Sequence, residues 1–372
     1  MLNNMNVEGI LRHIEVKSEY TKSIKKKINE DTNIVKKIKP YNFFTRNEIK
    51  INNSLHLLEH KTNRYITIKK AAKLSINEVN DDIINKTEIG KGNEYILLKY
   101  EENEGEYIEG ITRFLYNKGE KEYVYGVIES YFYIIKTFSQ LEKEGIVYYN
   151  FSSEKMKFKD IYNPHCLLYD FESSLMEKKI KLNENINNNT NNTNNTNNTN
   201  NTNNTNNTNN TNKNEIIEYF YNFIMKPQNF TFKPFEVHVL FYLYKMEEQY
   251  LSKYKITQII DKYVENMGSI LKGQTEKMIK EECHKNMEQF INKNKEEIMV
   301  QLIMHYKTWD NYSVSILYLH LVENIIQGYK IQMRFMSKFQ DILNQNLSQN
   351  PNQRMTIKET INKFNDLFQY WN

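Results

Sequence analysis

Residues 146–172 carry the pattern that decides the fold, opening with Ile146-Val-Tyr-Tyr-Asn-Phe151 and closing with Leu167-Leu-Tyr-Asp-Phe-Glu172. Each stretch contains an apolar run of the length that short buried strands have, and a polar loop separates the two. Ahead of them, apolar residues recur at helical spacing over 123–144, and Gly145 follows as a C-terminal cap. The pattern predicts a long helix, a glycine, a strand, a polar loop and a second strand.

The segments before and after residues 146–172 differ in their predicted secondary structure. On the amino-terminal side, residues 16–39 have a lysine-rich helical pattern, while 65–69 and 95–100 have the apolar residues of short strands. On the carboxyl-terminal side, residues 213–372 are almost wholly helical in pattern, with prolines as interruptions. We therefore predict an α+β fold in which a mixed part is followed by a helical part.

Residues 187–212 form an Asn-Asn-Thr repeat that contains no apolar residue. Such a tract has nothing to bury against the entropy cost of ordering. The sequence thus predicts a disordered insertion at 183–214.

The overall composition excludes only a few kinds of partner and site. With 50 Lys and Arg against 46 Asp and Glu, the 372 residues have a formal net charge of +4, which demands neither nucleic acid nor an anionic membrane as partner. Cys166 and Cys283 are too few and too far apart for a disulfide framework or a CxxC metal site. No apolar run reaches the ~20 residues of a membrane helix, and residues 1–17 lack a signal-peptide pattern. We expect an intracellular protein that binds no membrane.

The order of the elements resembles the catalytic core of protein kinases. In that family a loop reads H-R-D-L-x-x-x-N, and the next strand ends in D-F-G, about 20 residues after the loop acid, as between Asn150 and Asp170 here. Three later segments resemble the A-P-E element, the D-x-W-S start of the central helix and the N/D-P-x-x-R-x-T motif, in this order: Lys233-Pro-Phe-Glu236, Thr308-Trp-Asp-Asn-Tyr-Ser313 and Asn350-Pro-Asn-Gln-Arg-Met-Thr356. The resemblance covers roughly residues 95–368.

In detail, the chain resembles the divergent serine/threonine protein kinase-like proteins of large DNA viruses. This resemblance implies a two-lobed fold, with a reduced N-lobe at 1–100 that includes an N-terminal helix, and an enlarged, mostly helical C-lobe at 101–372. It implies ATP and Mg²⁺ as cofactors, a protein as partner or substrate and, for a viral source, the host cytoplasm or the virion as location.

Several groups that phosphoryl transfer requires are replaced. The catalytic Asp of the family corresponds to Asn150, which cannot accept the substrate proton as a carboxylate does. The metal-binding Asn corresponds to Lys155, so only Asp170 matches a metal ligand, and one carboxylate makes a weak Mg²⁺ site. The His and Arg of H-R-D and the glycine of D-F-G are replaced as well, by Tyr148, Tyr149 and Glu172.

The nucleotide-binding part is also reduced. Residues 1–89 contain a single glycine, Gly9, so no phosphate-covering G-x-G-x-x-G can be written there. The nearest candidates for the strand lysine that contacts the phosphates are Lys69 and Lys70, with Glu78 as partner. Glu101 begins a hinge-like linker after the strand at 95–100. Lys69 and Glu101 are therefore the candidate nucleotide-binding residues.

Three further residues match positions with architectural roles in the family. Glu236 and Arg354 correspond to a buried ion pair between the end of the activation segment and the C-terminal helices. Asp310 corresponds to a carboxylate that holds the backbone of the catalytic loop. These three residues are kept, while the residues that phosphoryl transfer requires are replaced. This contrast predicts a fold that serves as a binding platform.

A rival site is the stretch His56-Leu-Leu-Glu-His60, which satisfies the H-x-x-E-H pattern of a zinc peptidase. The third ligand would have to be Glu129 or Glu142. The alternative interpretation is the polar face of an amphipathic helix. Likewise, the lysine run at residues 22–39 is typical of a solvated helix face, so nucleic acid is not expected as partner.

From the sequence we therefore predict a serine/threonine protein kinase-like protein with a degenerate catalytic loop, a pseudokinase or very weak kinase that binds ATP and Mg²⁺ weakly and acts by binding protein. The alternatives from the sequence are an active atypical kinase, a helical interaction scaffold and a zinc peptidase.

Overall fold

A computed structural model describes residues 34–62, 64–74, 94–101, 112, 117–160, 163–181, 202–226, 230–267, 275–329 and 334–367. Its first part is a three-stranded antiparallel sheet with the order β1-β3-β2, formed by β1 (Ile34–Pro40), β2 (Ile68–Leu74) and β3 (Tyr95–Glu101). Helix α1 (Phe43–Thr62) connects β1 towards β2, and its Ile49 packs on the apolar residues of the sheet.

Strand β1 lies in the segment that the sequence predicted to be helical, and that prediction is wrong for residues 34–39. The strand pairs along its whole length with β3, from Ile34 opposite Glu101 to Pro40 opposite Tyr95. Lysine prefers helix only weakly, and β-branched residues in β1 together with pairing to an apolar strand outweigh that preference. Residues 16–33 lie outside the described part of the chain.

The middle of the chain has the predicted helix, glycine and strand in order, but a further strand forms within the predicted polar loop. Helix α2 (Glu120–Lys143) ends before Gly145, whose φ of +66° is a conformation that glycine adopts readily. Strand β4 (Ile146–Val147) follows, and β5 (Met156–Asp160) pairs with β6 (Asn163–Leu168) as an antiparallel hairpin. Strand β7 (Leu175–Met176) returns to pair with β4. The loop between β4 and β5 and the turn between β6 and β7 thus lie side by side.

The rest of the described chain is helical. The helices are α3 (Lys178–Lys181), α4 (Thr202–Ile224), α5 (Phe235–Lys245), α6 (Lys253–Met267), α7 (Glu276–Met287), α8 (Lys295–Ile303), α9 (Trp309–Tyr329), α10 (Arg334–Asn346) and α11 (Ile357–Asp366). The order from a mixed part to a helical part agrees with the predicted α+β class.

Helix α4 differs from the predicted disordered insertion. Its backbone is helical from Thr202 onward, so 202–214 do not have the predicted irregular structure. Residues 183–201 lie outside the described part of the chain, and the prediction stays a prediction there. The helix forms because its carboxyl-terminal part packs on the core, where Ile216, Phe220 and Phe223 are buried. Once that end is fixed by packing, each added residue gains one hydrogen bond without a new nucleation cost.

The apolar residues form two clusters of very different size. The small one consists of Ile68, Ile96, Leu98 and Tyr100 on the three-stranded sheet. The large one runs from the inner face of α1 through the hairpin to α11. Because α1 contributes to both clusters, it joins the sheet to the helical part. Among the described residues, no helix is long and apolar enough to cross a membrane.

Candidate functional site

The carboxylate of Asp310, the second residue of α9, binds the backbone of the loop after β4. The buried carboxylate accepts hydrogen bonds from the backbone N–H groups of Tyr148 and Tyr149, both at 2.7 Å. Burial raises the pKa of Asp310 to about 6, although the two N–H donors act in the opposite direction. The contact is the one the kinase resemblance implied for this residue, and it fixes the start of the loop.

Tyr149 has a φ of 61°, unusual for a residue with a side chain, and a buried lysine contacts it. The ammonium of Lys233 donates to the carbonyl oxygen of Tyr149 and lies 3.9 Å from the centroid of its ring. Burial lowers the pKa of Lys233 to about 7, despite the nearby carboxylate of Asp310. The segment ahead of α5 is thereby attached to the loop.

The next residue, Asn150, brings an amide to the position of the catalytic acid. Its backbone N–H donates to the carbonyl oxygen of Tyr148 at 2.7 Å. The side chain is partly buried. Since an amide does not take up a proton near neutral pH, Asn150 cannot act as a general base.

Asp170, which follows β6, is bound to the lysine that replaces the metal-binding Asn. The ammonium of Lys155 donates directly to Oδ2 of Asp170. Burial alone would raise the pKa of this carboxyl group, but Lys155 and Lys39 hold it well below its usual range. Asp170 is therefore ionised and paired with the protein's own cation.

Lys39 at the end of β1 lies among three carboxylates. Its ammonium lies 2.9 Å from the carboxylate of Glu48 on α1, 2.9 Å from Glu172 and 3.8 Å from Oδ1 of Asp170. Burial would lower the pKa of Lys39, but the carboxylates outweigh it and raise the pKa well above its usual value. The pair between Lys39 and Glu48 therefore joins β1 to α1.

The assignment of Lys69 as a nucleotide-binding residue stays a prediction. Lys69 and Lys70 are exposed at the start of β2. Glu78 and the side chain of Glu101 lie outside the described part of the structure, so the hinge assignment stays a prediction. The residues of the network that sequence reasoning missed are Lys39 and Glu48, and their local signal is the stretch Lys36-Lys-Ile-Lys39 with a glutamate nine residues after it. The helical interpretation of 16–39 hid it.

Glu172, in place of the D-F-G glycine, completes the network. It accepts from Lys39 on one oxygen and from Lys226, after α4, on the other at 2.5 Å. The two lysines hold the pKa of Glu172 below its usual value, although burial and the nearby Asp170 act against them. Asn47 of α1 donates to the backbone oxygens of Glu172 and Ser174 at 3.1 and 2.8 Å. Glu172 therefore links α1, the hairpin and α4.

The resulting network contains three carboxylates, of Glu48, Asp170 and Glu172, whose oxygens lie within 4.8 Å of one another. Carboxylate groups so placed are the ligand type that Mg²⁺ uses. Here each accepts from an ammonium group, provided by Lys39, Lys155 and Lys226. The residues present therefore fit a set of internal ion pairs and do not fit a divalent cation.

Aromatic rings pack against one another on the buried side of the ion-pair network. The hydroxyl of Tyr148 donates to the carbonyl oxygen of Tyr169, and its ring centroid lies 5.2 Å from that of Phe171. Phe171 in turn lies 5.9 Å from Tyr65, ahead of β2. Tyr148 thus holds the turn around Asp170.

The expected contact between Glu236 and Arg354 is present although 118 positions separate them. The guanidinium donates two hydrogen bonds to the carboxylate, at 2.5 and 2.6 Å, and both side chains are buried. The indole N–H of Trp309 donates to the same carboxylate at 2.9 Å. The bidentate geometry ties the start of α5 to the segment before α11.

The H-x-x-E-H segment lies on α1 and does not assemble a metal centre among the described side chains. Nε2 of His56 is 2.9 Å from the carbonyl oxygen of Ile68, to which it donates. The side chains of Glu59 and His60 lie outside the described part. Glu129 is 3.2 Å from His165 instead. His56 therefore joins α1 to β2, in line with the interpretation as a helix face.

Comparisons with known proteins show a distant likeness to solved structures. No protein-family model matches the chain, and no curated protein matches it in sequence. Among solved structures, it is similar to the twitchin kinase region from C. elegans (Fn31-NL-kin-CRD-Ig26), with 11% identity and a TM-score of 0.39 over 88% of this chain. The chain spans 40% of the length of that structure.

Proposed function

We propose that this chain is a protein-kinase-like protein that does not transfer phosphoryl groups and acts by binding a protein partner. The observation that carries the proposal is the bond between Lys155 and Asp170. Phosphoryl transfer relies on metal ions to neutralise the developing charge, and those ions need the carboxylate that Lys155 occupies. The ligands are committed to internal ion pairs instead.

The proposal includes a two-lobed arrangement, with a reduced N-lobe at 1–100 and a C-lobe at 101–372. The separate small cluster of Ile68, Ile96, Leu98 and Tyr100 supports it. The narrower likeness to kinase-like proteins of large DNA viruses, and with it the location in host cytoplasm or virion, stays a prediction from the sequence.

One observation favours a second candidate, an active atypical kinase. The ion pair between Lys39 and Glu48, which active kinases require, is formed at 2.9 Å. Such a kinase would have to displace Lys155 from Asp170 and supply a base other than Asn150.

The two candidates are separated by a phosphotransfer assay on the full chain with ATP, Mg²⁺ and a general protein substrate. We expect no turnover above that of the Asp170→Ala variant, and at most a trace from the double variant Asn150→Asp with Lys155→Asn. Turnover on the order of 1 s⁻¹, abolished by Asp170→Ala, would establish the active kinase.

A thermal-shift titration with ATP and Mg²⁺ measures the cofactor separately. A ligand at about 100 times its dissociation constant adds about 2.7 kcal/mol to the free energy of unfolding. We expect Mg²⁺ to add nothing to the shift that ATP alone produces, because Lys155 already holds Asp170.

A further inference from the structure

The outer face of the three-stranded sheet has a row of three lysines. Lys36 on β1 lies directly opposite Lys99 on β3, and Lys70 on β2 lies opposite Lys99 from the other side. A bulge between Ile68 and Lys70 sets this register. Because residues opposite each other in antiparallel strands project from the same face, the three lysine side chains cross the sheet side by side.

This row lies on the side of the sheet that faces away from the ion-pair network. Lys39 of the network lies opposite Ile96, which is buried on the inner face. Since side chains alternate between the two faces of a strand, Lys36 and Lys99 belong to the outer face. Lys36 and Lys70 are exposed, and Lys99 is half-buried. The lysine row is therefore separate from the ion-pair network.

The three charges of the row repel one another. Among the described side chains, none of the three pairs with a carboxylate, and Glu94 at the start of β3 binds Lys73 instead. Like charges directly opposite each other destabilise a sheet. Lysines on the edge strands β1 and β2 prevent pairing with another sheet, but β3 is the central strand, so Lys99 has no such role. An anionic partner on this face would relieve the repulsion.

An apolar row lies beside the lysines on the same face. Ile38 is opposite Leu97, and Ala72 is opposite Leu97 from β2. All three are half-buried, and Ile38 and Leu97 belong to neither apolar cluster of the fold. The two rows are about 6.8 Å apart along the strands. The three lysines and these three apolar residues form the lysine face.

The spacing of the two rows fits an α-helix that lies across the strands. Neighbouring strands are about 4.8 Å apart, so the three positions of a row span about 9.6 Å. In an α-helix, residues i+3 and i+7 follow residue i at about 4.5 and 10.5 Å along the axis and lie on one face. The lysine face has no aromatic ring on which a nucleic-acid base could stack, which favours a protein partner.

We propose that the lysine face binds an amphipathic helix of a partner protein, whose acidic stripe contacts the lysines and whose adjacent apolar stripe contacts Ile38 and Leu97. Charge complementarity sets the orientation of the helix, and the apolar row adds surface that is removed from water. This inference gives the chemistry of the partner and rests on the binding role in the proposed function.

The test measures fluorescence anisotropy of a labelled synthetic helix of about 20 residues with the full chain. The peptide has Glu at i, i+3 and i+7 and Leu on the adjacent stripe. We expect saturable binding that weakens as the salt concentration rises. The double variant Lys36→Met with Lys99→Met keeps the aliphatic stems and removes two charges, so it should bind about fivefold more weakly or worse.

A charge reversal keeps the test decisive. The double variant Lys36→Glu with Lys99→Glu should lose the acidic peptide and bind a peptide in which Lys replaces each Glu. Leu97→Ser should weaken binding of the acidic peptide by removing apolar contact. Thermal melting of each variant establishes that it is folded. The matched control is Lys358→Met, which removes an exposed lysine from α11 and should leave the affinity unchanged.

Phosphatidylserine vesicles and an oligothymidylate of about 20 nucleotides form parallel arms. The proposal is overturned if wild type shows no saturable peptide binding, or if Lys36→Met with Lys99→Met binds as wild type does. Tighter binding of the vesicles or the oligothymidylate through the same lysines overturns it too. A chain that binds the peptide and transfers phosphate would refute the proposed function alone, whereas one that does neither would refute this inference alone.

Discussion

At the scale of single residues, the buried pair of Glu236 and Arg354 offers a direct measurement. Replacing Arg354 by Met should lower the free energy of unfolding by about 3 to 5 kcal/mol, because it leaves an uncompensated carboxylate in the core. Adding Glu236→Met should recover part of that loss. Urea denaturation of the two single variants and the double variant measures the coupling.

The exposed pair of Lys262 and Glu265, which lie 3.6 Å apart, is the control for that cycle. Its removal should have no measurable effect on unfolding. Additive losses for Arg354→Met and Glu236→Met would mean that the two side chains do not interact energetically.

Lys233 makes a prediction about pH. Its pKa is about 7 in the folded chain and near the usual 10.5 in the unfolded chain, because burial disfavours the ammonium. Between these values the unfolded chain binds more protons, so stability rises with pH, by up to about 1.4 kcal/mol per unit. Lys233→Met should remove this contribution between pH 7 and 8, as measured by urea unfolding at both values.

The exposed Lys262 again provides a control for that series, since Lys262→Met should retain the pH dependence of the wild type. If Lys233→Met also retained it, the lysine would titrate at the same pH in both states. The rise in stability would then have another source.

At the scale of elements, the contact between α1 and α4 keeps Glu48 near Lys39. Phe223 of α4 lies 5.4 Å from Phe43 and 6.0 Å from Phe44, measured between ring centroids, and Lys226 lies 4.3 Å from the ring of Phe44. Phe223→Ala should cost about 3 to 5 kcal/mol. In hydrogen exchange, the amides of α1 should become faster by more than those of α9.

Phe364→Ala is a matched truncation at the opposite end of the core, where Phe364 lies 5.1 Å from Phe339. It should destabilise the chain without singling out α1. An equal acceleration of α1 in both variants would show that α4 does not position α1.

Elements with strong local signals could be predicted from the sequence, and those set by partners in space could not. The helix before Gly145 has clear periodicity and capping and lies where expected, whereas β5 forms within the stretch predicted as a polar loop. Strand β1 was not predicted, because its lysines resemble a helix face and because its pairing with β3 depends on residues about 60 positions away.

The candidate site was predictable where the family motif is local in sequence. Asn150, Lys155 and Asp170 belong to one such stretch, and Lys155 and Asp170 are indeed bound to each other. The contributions of Glu48 and Lys226 were not foreseen, since nothing in the sequence indicates that α1 and the end of α4 meet at Glu172. Long-range ion pairs of this kind require the fold.

At the scale of the whole molecule, the Asn-Asn-Thr tract should be dispensable. Deleting residues 187–212 removes the amino-terminal turns of α4 but keeps its buried residues Ile216, Phe220 and Phe223. Loop-closure entropy changes slowly with length, so the free energy of unfolding should change by less than about 1 kcal/mol. Thermal melting of the deletion variant measures it.

The truncation Phe220→Ala in the retained part of α4 is the comparison for the deletion, because it removes a buried ring from the core. It should destabilise the chain far more than loss of the whole tract. A deletion as damaging as Phe220→Ala would mean that residues 187–212 dock against the core.

The mutual pairing of three lysines with three carboxylates also bears on how such a protein can evolve. Replacing any one of the six leaves an uncompensated charge in a largely buried setting, and this costs more than the pair itself contributes. Changes at Lys155 and Asp170, or at Lys226 and Glu172, are therefore tolerated together and resisted singly. A lineage that has reached this state can exchange these charges only through less stable intermediates, which makes the set of six residues hard to change one residue at a time.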